Sequence, residues 1–304
     1  MSSIKGVFSA AATPVNAHLT PDHGALVAHS RQLLADGLHG VALLGSTGEA
    51  NSFSTAERMA MLEAMVKAGI PADALLPGTG LCALPETIAL TRHALSLGVT
   101  KVVMLPPFYY KGVSDQGLLD AYSHVLDSIA DDRLQVILYH IPPISQIPLS
   151  HDLIGRLIEK YPGTIAGVKD SGGALDNMVA MVKRFPTLSV LAGADPLLLP
   201  LLQQGGAGCI TATSNLAGKQ LRTVFDKFAD PSATAEIDAA QKRIVALREA
   251  SNSFPQIPTI KAMVAHRYKQ PHWVNTRPPL VRLTDEQIGK LGPILDKVDT
   301  DFPA

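Results

Sequence analysis

Three groups of residues offer chemistry. The first is Lys169, which closes the apolar run Ile165–Lys169. Lysine is rarely buried unless paired or functional. Burial disfavours an ammonium, and a neutral amine attacks a ketone to form a Schiff base. The alternative is a strand-end lysine whose stem lies on apolar surface while its head reaches water. The second is Tyr139, at the end of the preceding run, Leu134–Ile141. A phenol one strand away relays protons between an imine and a substrate oxygen. Its alternative is a core-edge tyrosine with a solvated hydroxyl. The third is the turn Gly45-Ser46-Thr47-Gly48. Its amides and two hydroxyls would hold a carboxylate or phosphate, although a plain tight turn with an N-cap uses the same residues.

These residues need a scaffold that gathers the ends of distant runs. Eight apolar or β-branched runs recur: Gly6–Val15, Gly40–Leu44, Leu75–Gly80, Lys101–Pro106, Leu134–Ile141, Ile165–Lys169, Leu188–Ala192 and Gly208–Thr213. Their starts lie about 29 residues apart on average, near the length of one βαβ unit. VALLG, KVVML, QVILY and SVLAG do not alternate, as expected of parallel strands buried on both faces. Helix signals fill the intervals. Thr20-Pro21-Asp22 opens one helix, Ser54 and Glu57 offer a capping box, and Pro85 suits a first turn. Ser114 and Ser150 start two more, and Gly98, Gly163 and Gly205 fall just past helix ends.

Eight strand–helix units predict an α/β fold, a (β/α)8 TIM barrel over residues 1–230. The rival is an open doubly wound sheet. The helix at 217–229 completes the barrel. Helices at 234–250, 257–268 and 284–298 form a C-terminal extension, 231–304, packed on it without a Gly/Ser linker. Barrel chemistry sits at the C-terminal strand ends. That ring would hold Lys169, Tyr139, several hydroxyls and glycine-rich turns, with Asp170, Asp195 and Glu49 as nearby acids.

Composition narrows the function. Of 304 residues, 46% are hydrophobic and 17% charged, so a large core is available and disorder is excluded. With 26 Lys and Arg against 27 Asp and Glu, the chain has no electrostatic footprint for nucleic acid. No apolar run approaches the roughly 18 residues of a membrane span. The start, broken by Pro14, lacks a clear cleavage site, and two cysteines fit a reducing cytoplasm. Ten scattered histidines show no H-E-x-x-H and no i, i+4 pair, so no metal is expected. Gly78-Thr-Gly80-Leu-Cys-Ala83 nearly spells a dinucleotide fingerprint but lacks the acid about 20 residues on. No G-x-S-x-G elbow occurs, and Cys82 and Cys209 read as small packing residues.

The chain resembles the dihydrodipicolinate synthase / N-acetylneuraminate lyase family of class I Schiff-base aldolases over roughly residues 4–298. The resemblance rests on Gly45-Ser-Thr-Gly-Glu49, Pro107-Phe-Tyr-Tyr110, Tyr139-His-Ile-Pro142 and Gly167-Val-Lys-Asp-Ser171, in that order. Gly193-Ala-Asp195 and Gly208-Cys-Ile-Thr211 add weaker matches. It implies that Lys169 forms the Schiff base with pyruvate or a related 2-oxo acid and that Tyr139 is the acid/base. Ser46 and Thr47 would bind the carboxylate, with Ile210 and Gly193 also at the substrate. Thr47 would pass protons to a second tyrosine, Tyr110 or the adjacent Tyr109, supplied by a neighbouring subunit. A cytoplasmic homotetramer, built as a dimer of dimers without metal or organic cofactor, follows from the same resemblance.

Departures from the family pattern bear on the substrate. Dihydrodipicolinate synthases carry an arginine two residues after the proline of the strand-five motif; here that position is Ile144. An apolar side chain cannot replace a bidentate carboxylate clamp. Sialic-acid lyases place Asp-Glu where this chain has Asp195-Pro196. Lys169-Asp-Ser-Gly-Gly173 is closer to the hydroxy-oxoglutarate aldolase branch, and His140 and Ser145 are candidates for contacting a hydroxylated substrate. The expected reaction is reversible aldol cleavage of a hydroxy-2-oxo acid. 4-Hydroxy-tetrahydrodipicolinate synthesis, a 2-keto-3-deoxy sugar-acid dehydratase or aldolase, and a non-catalytic 2-oxo acid binding protein are the alternatives.

Overall fold

The apolar runs fail to alternate because their two faces enter two different cores. The computed structural model describes residues 4–302. It contains seven strands: β1 (Gly6–Ala10), β2 (Gly40–Ala42), β3 (Lys101–Met104), β4 (Gln135–His140), β5 (Ile165–Asp170), β6 (Ser189–Ala192) and β7 (Gly208–Thr211). All pair in parallel, in the order β2-β1-β7-β6-β5-β4-β3. Phe8, Val103, Ile137, Leu191 and Ile210 point into the barrel. Their neighbours Val7, Val102, Val136, Val190 and Cys209 point out, into the layer under the helices.

The predicted third strand is the one that differs. Residues 75–79 bridge β2 and β3 without forming a regular ladder. Leu76 N–H donates to Val41 O (3.0 Å) and Gly78 N–H to Leu43 O (2.8 Å). On the other side, Thr79 N–H donates to Val103 O (3.0 Å) and Val103 N–H to Pro77 O (3.0 Å). Pro77 has no N–H to offer, which interrupts the ladder. Glycine is needed on either side of Thr79: a Cβ would come 2.2 Å from Leu44 O at Gly78 and 2.2 Å from Leu105 O at Gly80. This segment closes the sheet, so the fold is a (β/α)8 TIM barrel.

The helices are α1 (His23–Ala35), α2 (Thr55–Lys67), α3 (Leu84–Ser96), α4 (Asp115–Ile129), α5 (Pro142–Ser145), α6 (His151–Lys160), α7 (Leu175–Arg184), α8 (Leu198–Leu202), α9 (Ser214–Lys227), α10 (Thr234–Ser251), α11 (Gln256–Tyr268) and α12 (Asp285–Asp301). The capping residues sit where the sequence places them. Asp22 accepts from Ala25 N–H, and Ser54 and Glu57 form a reciprocal capping box. Ser114 and Ser150 cap α4 and α6, and Pro85 lies in the first turn of α3.

Helices α10 to α12 share one continuous core with the barrel's outer layer, in which Leu33 and Leu221 meet Ile244, Met263 and Leu295. Arg243 of α10 reaches α12, at 2.6 Å from Asp299 Oδ1. Among the described residues, no helix is long and apolar enough to cross a membrane. Cys82 is exposed and Cys209 buried, and both are free thiols.

Candidate active site

Register brings the first two chemical groups together. Tyr139 pairs with Lys169 across the β4–β5 ladder, and Lys169 with Leu191 across β5–β6. Tyr139 and Leu191 both belong to the barrel interior, so Lys169 faces it too. Lys169 Nζ lies 4.2 Å from the centroid of the Tyr139 ring. Both side chains are only 5% exposed. Burial raises the Tyr139 phenol, but the Lys169 charge and hydrogen bonds with Ser46, Ser171 and Lys169 outweigh it, leaving the phenol below its ordinary value. A phenol so lowered gives up its proton more readily than free tyrosine.

Gly193 helps to hold Ser171 there. A Cβ at Gly193 would fall 2.0 Å from Ser171 Oγ, so only glycine leaves room for that hydroxyl. The Gly193 N–H donates to Asp170 O (2.7 Å) and is therefore already engaged.

The Gly45–Glu49 turn caps the barrel beside Tyr139. Its hydrogen bonds run from Glu49 N–H to Ser46 O (3.1 Å) and from Ala50 N–H to Gly45 O (3.2 Å). Among the described residues, the N–H groups of Ser46, Thr47 and Gly48 donate to no protein acceptor. Three successive free amides beside two hydroxyls supply the kind of donors that a carboxylate-binding nest uses. The turn is braced from behind. Thr13 Oγ1 donates to Gly48 O (2.8 Å), and the Glu49 carboxylate pairs with Lys261 of α11 and accepts from Arg277 N–H (3.2 Å). Lys261 and Glu49 are both 0% exposed at their side chains.

Arg277 fastens the next stretch. Its guanidinium pairs with Glu57, donates to Leu19 O (2.7 Å) and Ser52 O (2.7 Å), and lies over the Phe53 ring.

A cavity of about 290 Å³ opens over this site. Ser46, Glu49 and Tyr139 form part of its wall, and Leu105, Ile144, Ile257 and Leu280 much of the rest. Of the sequence-predicted residues, Lys169 and Ile210 lie in the barrel below this wall. Thr47 is half-buried at the turn. Tyr109 and Tyr110 are not brought to the site within one chain: they are 72% and 74% exposed and pack edge to face at 5.4 Å.

Two of the three nearby acids are also elsewhere. Asp170 points outward, accepting from Gly172 N–H (2.7 Å) and Asn177 Nδ2 (2.7 Å). Asp195 is fully buried, 3.6 Å from Arg248 Nη1. His140 and Ser145, candidates for substrate contact, serve the backbone instead. His140 Nδ1 accepts from Leu149 N–H (3.0 Å), and Ser145 Oγ donates to Ile141 O (3.0 Å).

Sequence reasoning missed Ser171, Lys261 and Arg277 as parts of the site. Ser171 lies two residues after Lys169 in the Gly167–Ser171 stretch, but its approach to Tyr139 depends on room left by Gly193 just after the next strand. The two cations lie more than 200 residues from the turn they brace.

A parallel barrel with its reactive side chains at the C-terminal mouth is an enzyme architecture. Comparison with known proteins narrows the class. The chain belongs to the Dihydrodipicolinate synthetase family, matched over residues 3–298, and is a lyase. An uncharacterized DapA-like lyase of Chloroflexus aurantiacus is 34% identical over 299 residues, 98% of each chain. The 4-hydroxy-tetrahydrodipicolinate synthase of Listeria welshimeri is 31% identical, over 87% of this chain and 88% of that one. The crystal structure of dihydrodipicolinate synthase from Agrobacterium tumefaciens superposes with a TM-score of 0.88 at 30% identity, covering 96% of this chain and 99% of that one.

Proposed function

We propose that this protein is a Schiff-base aldolase that condenses pyruvate, or a related 2-oxo acid, with an aldehyde and catalyses the reverse cleavage. The observation that carries this reading is the buried Lys169–Tyr139 pair, with Nζ 4.2 Å from the ring, beside the free amides of the Ser46–Gly48 turn. The turn binds the oxo acid's carboxylate and so presents its ketone carbon to the Lys169 amine.

Attack gives a carbinolamine. It loses water to leave an iminium, with the departing hydroxyl protonated from Tyr139. The iminium then draws electrons from the adjacent C–H bond, whose proton returns to the Tyr139 phenolate, and an enamine forms. The enamine carbon attacks the aldehyde. The carbonyl electron pair moves to oxygen, which takes the phenol proton. Hydrolysis of the new iminium releases a hydroxy-2-oxo acid and the free amine. Cleavage is the same sequence reversed, and the iminium is the electron sink throughout.

A mere 2-oxo acid binder would need the nest but no nucleophile, which favours the catalytic reading. The exposed Tyr109–Tyr110 pair supports a homotetramer in which Tyr110 reaches a neighbouring subunit's site and exchanges protons with Tyr139 through Thr47. Two free thiols fit a cytoplasmic setting.

Incubation with pyruvate followed by borohydride should add a reduced pyruvyl group to Lys169, seen by peptide mass spectrometry. Lys169→Ala should abolish it. The absence of any adduct with pyruvate and other 2-oxo acids would sink the proposal.

A further inference from the structure

The cavity wall has a chemical character that the Schiff-base reading leaves unused. Beside the polar Ser46, Asn51, Ser52 and Tyr139, the wall is formed largely by Leu44, Val103, Leu105, Ile144, Ile257 and Leu280. Glu49 is its one charged side chain among the described residues, and that carboxylate is taken by Lys261 and the Arg277 N–H.

The cations behind or beside the wall are engaged as well. Arg277 holds Glu57 and two backbone carbonyls. Lys111 reaches the α5 turn beside Ile144, but its ammonium is bonded to the carbonyls of Phe108 and Ser145. Arg58 is the exception: it is buried behind the wall, with one nitrogen donating to Gly78 O (2.7 Å) and Nε and Nη1 without a partner among the described residues, but its guanidinium is not part of the cavity lining. An aldehyde that carries its own carboxylate would lose water there without gaining a counter-charge from the lining. An apolar aldehyde would bury its side chain against six aliphatic residues. The cavity, about 290 Å³, is at the small end of ligand sites.

We infer that the acceptor aldehyde is small, uncharged and apolar, a branched aliphatic or single-ring aromatic aldehyde, and that Ile144 is a specificity-determining residue. The inference rests on the Schiff-base reading and goes beyond it by naming the second substrate's class. The product is then a 4-hydroxy-2-oxo acid with an apolar substituent on the carbinol carbon and a single carboxylate, the one the turn holds.

The test compares aldehydes on the full chain after pyruvate trapping has been measured. Benzaldehyde and 3-methylbutanal are set against glyoxylate and succinic semialdehyde, with pyruvate saturating. The apolar pair should exceed the carboxylated pair in kcat/KM by about 100-fold or more, the scale of rejecting a group the site cannot satisfy. Ile144→Arg should move that ratio at least about 10-fold toward succinic semialdehyde by supplying a carboxylate clamp. If Lys169 traps pyruvate yet the carboxylated aldehydes react as well or better, or neither class reacts, this inference falls and the Schiff-base reading stands. An unchanged ratio in Ile144→Arg overturns the role of Ile144. Failure of trapping removes the Schiff-base reading itself, and this inference with it.

Discussion

Two lysines are buried among the described residues, and they differ in what faces them. Lys169 faces an aromatic ring; Lys261 faces a carboxylate. Burial pushes the Lys261 amine down, and the Glu49 charge opposes that shift without cancelling it. Replacing Lys261 with Met would strand the Glu49 carboxylate in the interior. Breaking such a pair from one side costs about 3–5 kcal/mol, whereas replacing both partners is far milder. Urea unfolding should therefore show a large loss for Lys261→Met and recovery of most of it in Lys261→Met/Glu49→Gln. A double variant as unstable as the single one would mean that the pairing is not what Lys261 contributes. Lys169 is legible in the sequence because it ends an apolar run, where a charge is out of place. Lys261 is not, because it lies in a helix where a solvated lysine is ordinary, and only the folded chain brings α11 to the Gly45–Glu49 turn.

At the scale of elements, α1, α9 and α11 meet around one histidine. His29 Nε2 donates to Asn215 Oδ1 (2.8 Å), and its Nδ1 accepts from the Tyr268 hydroxyl (2.7 Å). Asn215 Oδ1 also accepts from Ala12 N–H (3.0 Å), so the α1–α9 contact supports the loop leaving β1. The arrangement suits a neutral ring, whose Nδ1 takes the Tyr268 hydroxyl proton; charging it would turn that hydroxyl around and bury a cation. Burial, aided by the nearby Arg267 charge, holds His29 down to about 4 against hydrogen bonding to Asn215. The unfolded chain takes up this proton near pH 6.5, before the folded one does. The stabilisation is thus complete above about 6.5 and is lost as pH falls toward 4, amounting to about 3 kcal/mol over that window. Wild type and His29→Gln, unfolded in urea at pH 7 and at pH 4.5, should differ in slope, the variant losing less on acidification. Equal losses would show that another group sets the acid limb. Helix starts such as Ser54, Ser114 and Ser150 are legible because caps are local chemistry. The third strand reads as regular because Leu75–Gly80 is apolar, while the close approaches that demand Gly78 and Gly80 come from other runs.

For the whole molecule, the eightfold spacing makes the barrel legible, because each strand–helix unit repeats one local problem and has one closed solution. The same logic does not reach past the chain's own surface, and there the Tyr109–Tyr110 pair stands open. If Tyr110 completes the site of a neighbouring subunit, activity belongs to the pair of chains rather than to either one. Lys169→Ala and Tyr110→Phe should each be inactive alone, the second by at least about 100-fold in kcat as a lost proton donor. A mixed pair would differ: the Lys169→Ala chain still presents an intact tyrosine to the intact lysine of its partner. In random two-fold pairing, half the pairs are mixed and one of two sites in each is complete, so co-expression should restore about a quarter of wild-type activity. Differently tagged chains, purified through both tags, should raise that to about half per mixed pair. Activity no greater than the sum of the two parents would place the working tyrosine within its own chain, or remove Tyr110 from the reaction. Tyr109→Phe in the same cross tells the two neighbours apart, because only the relay residue fails alone and is rescued by the lysine variant.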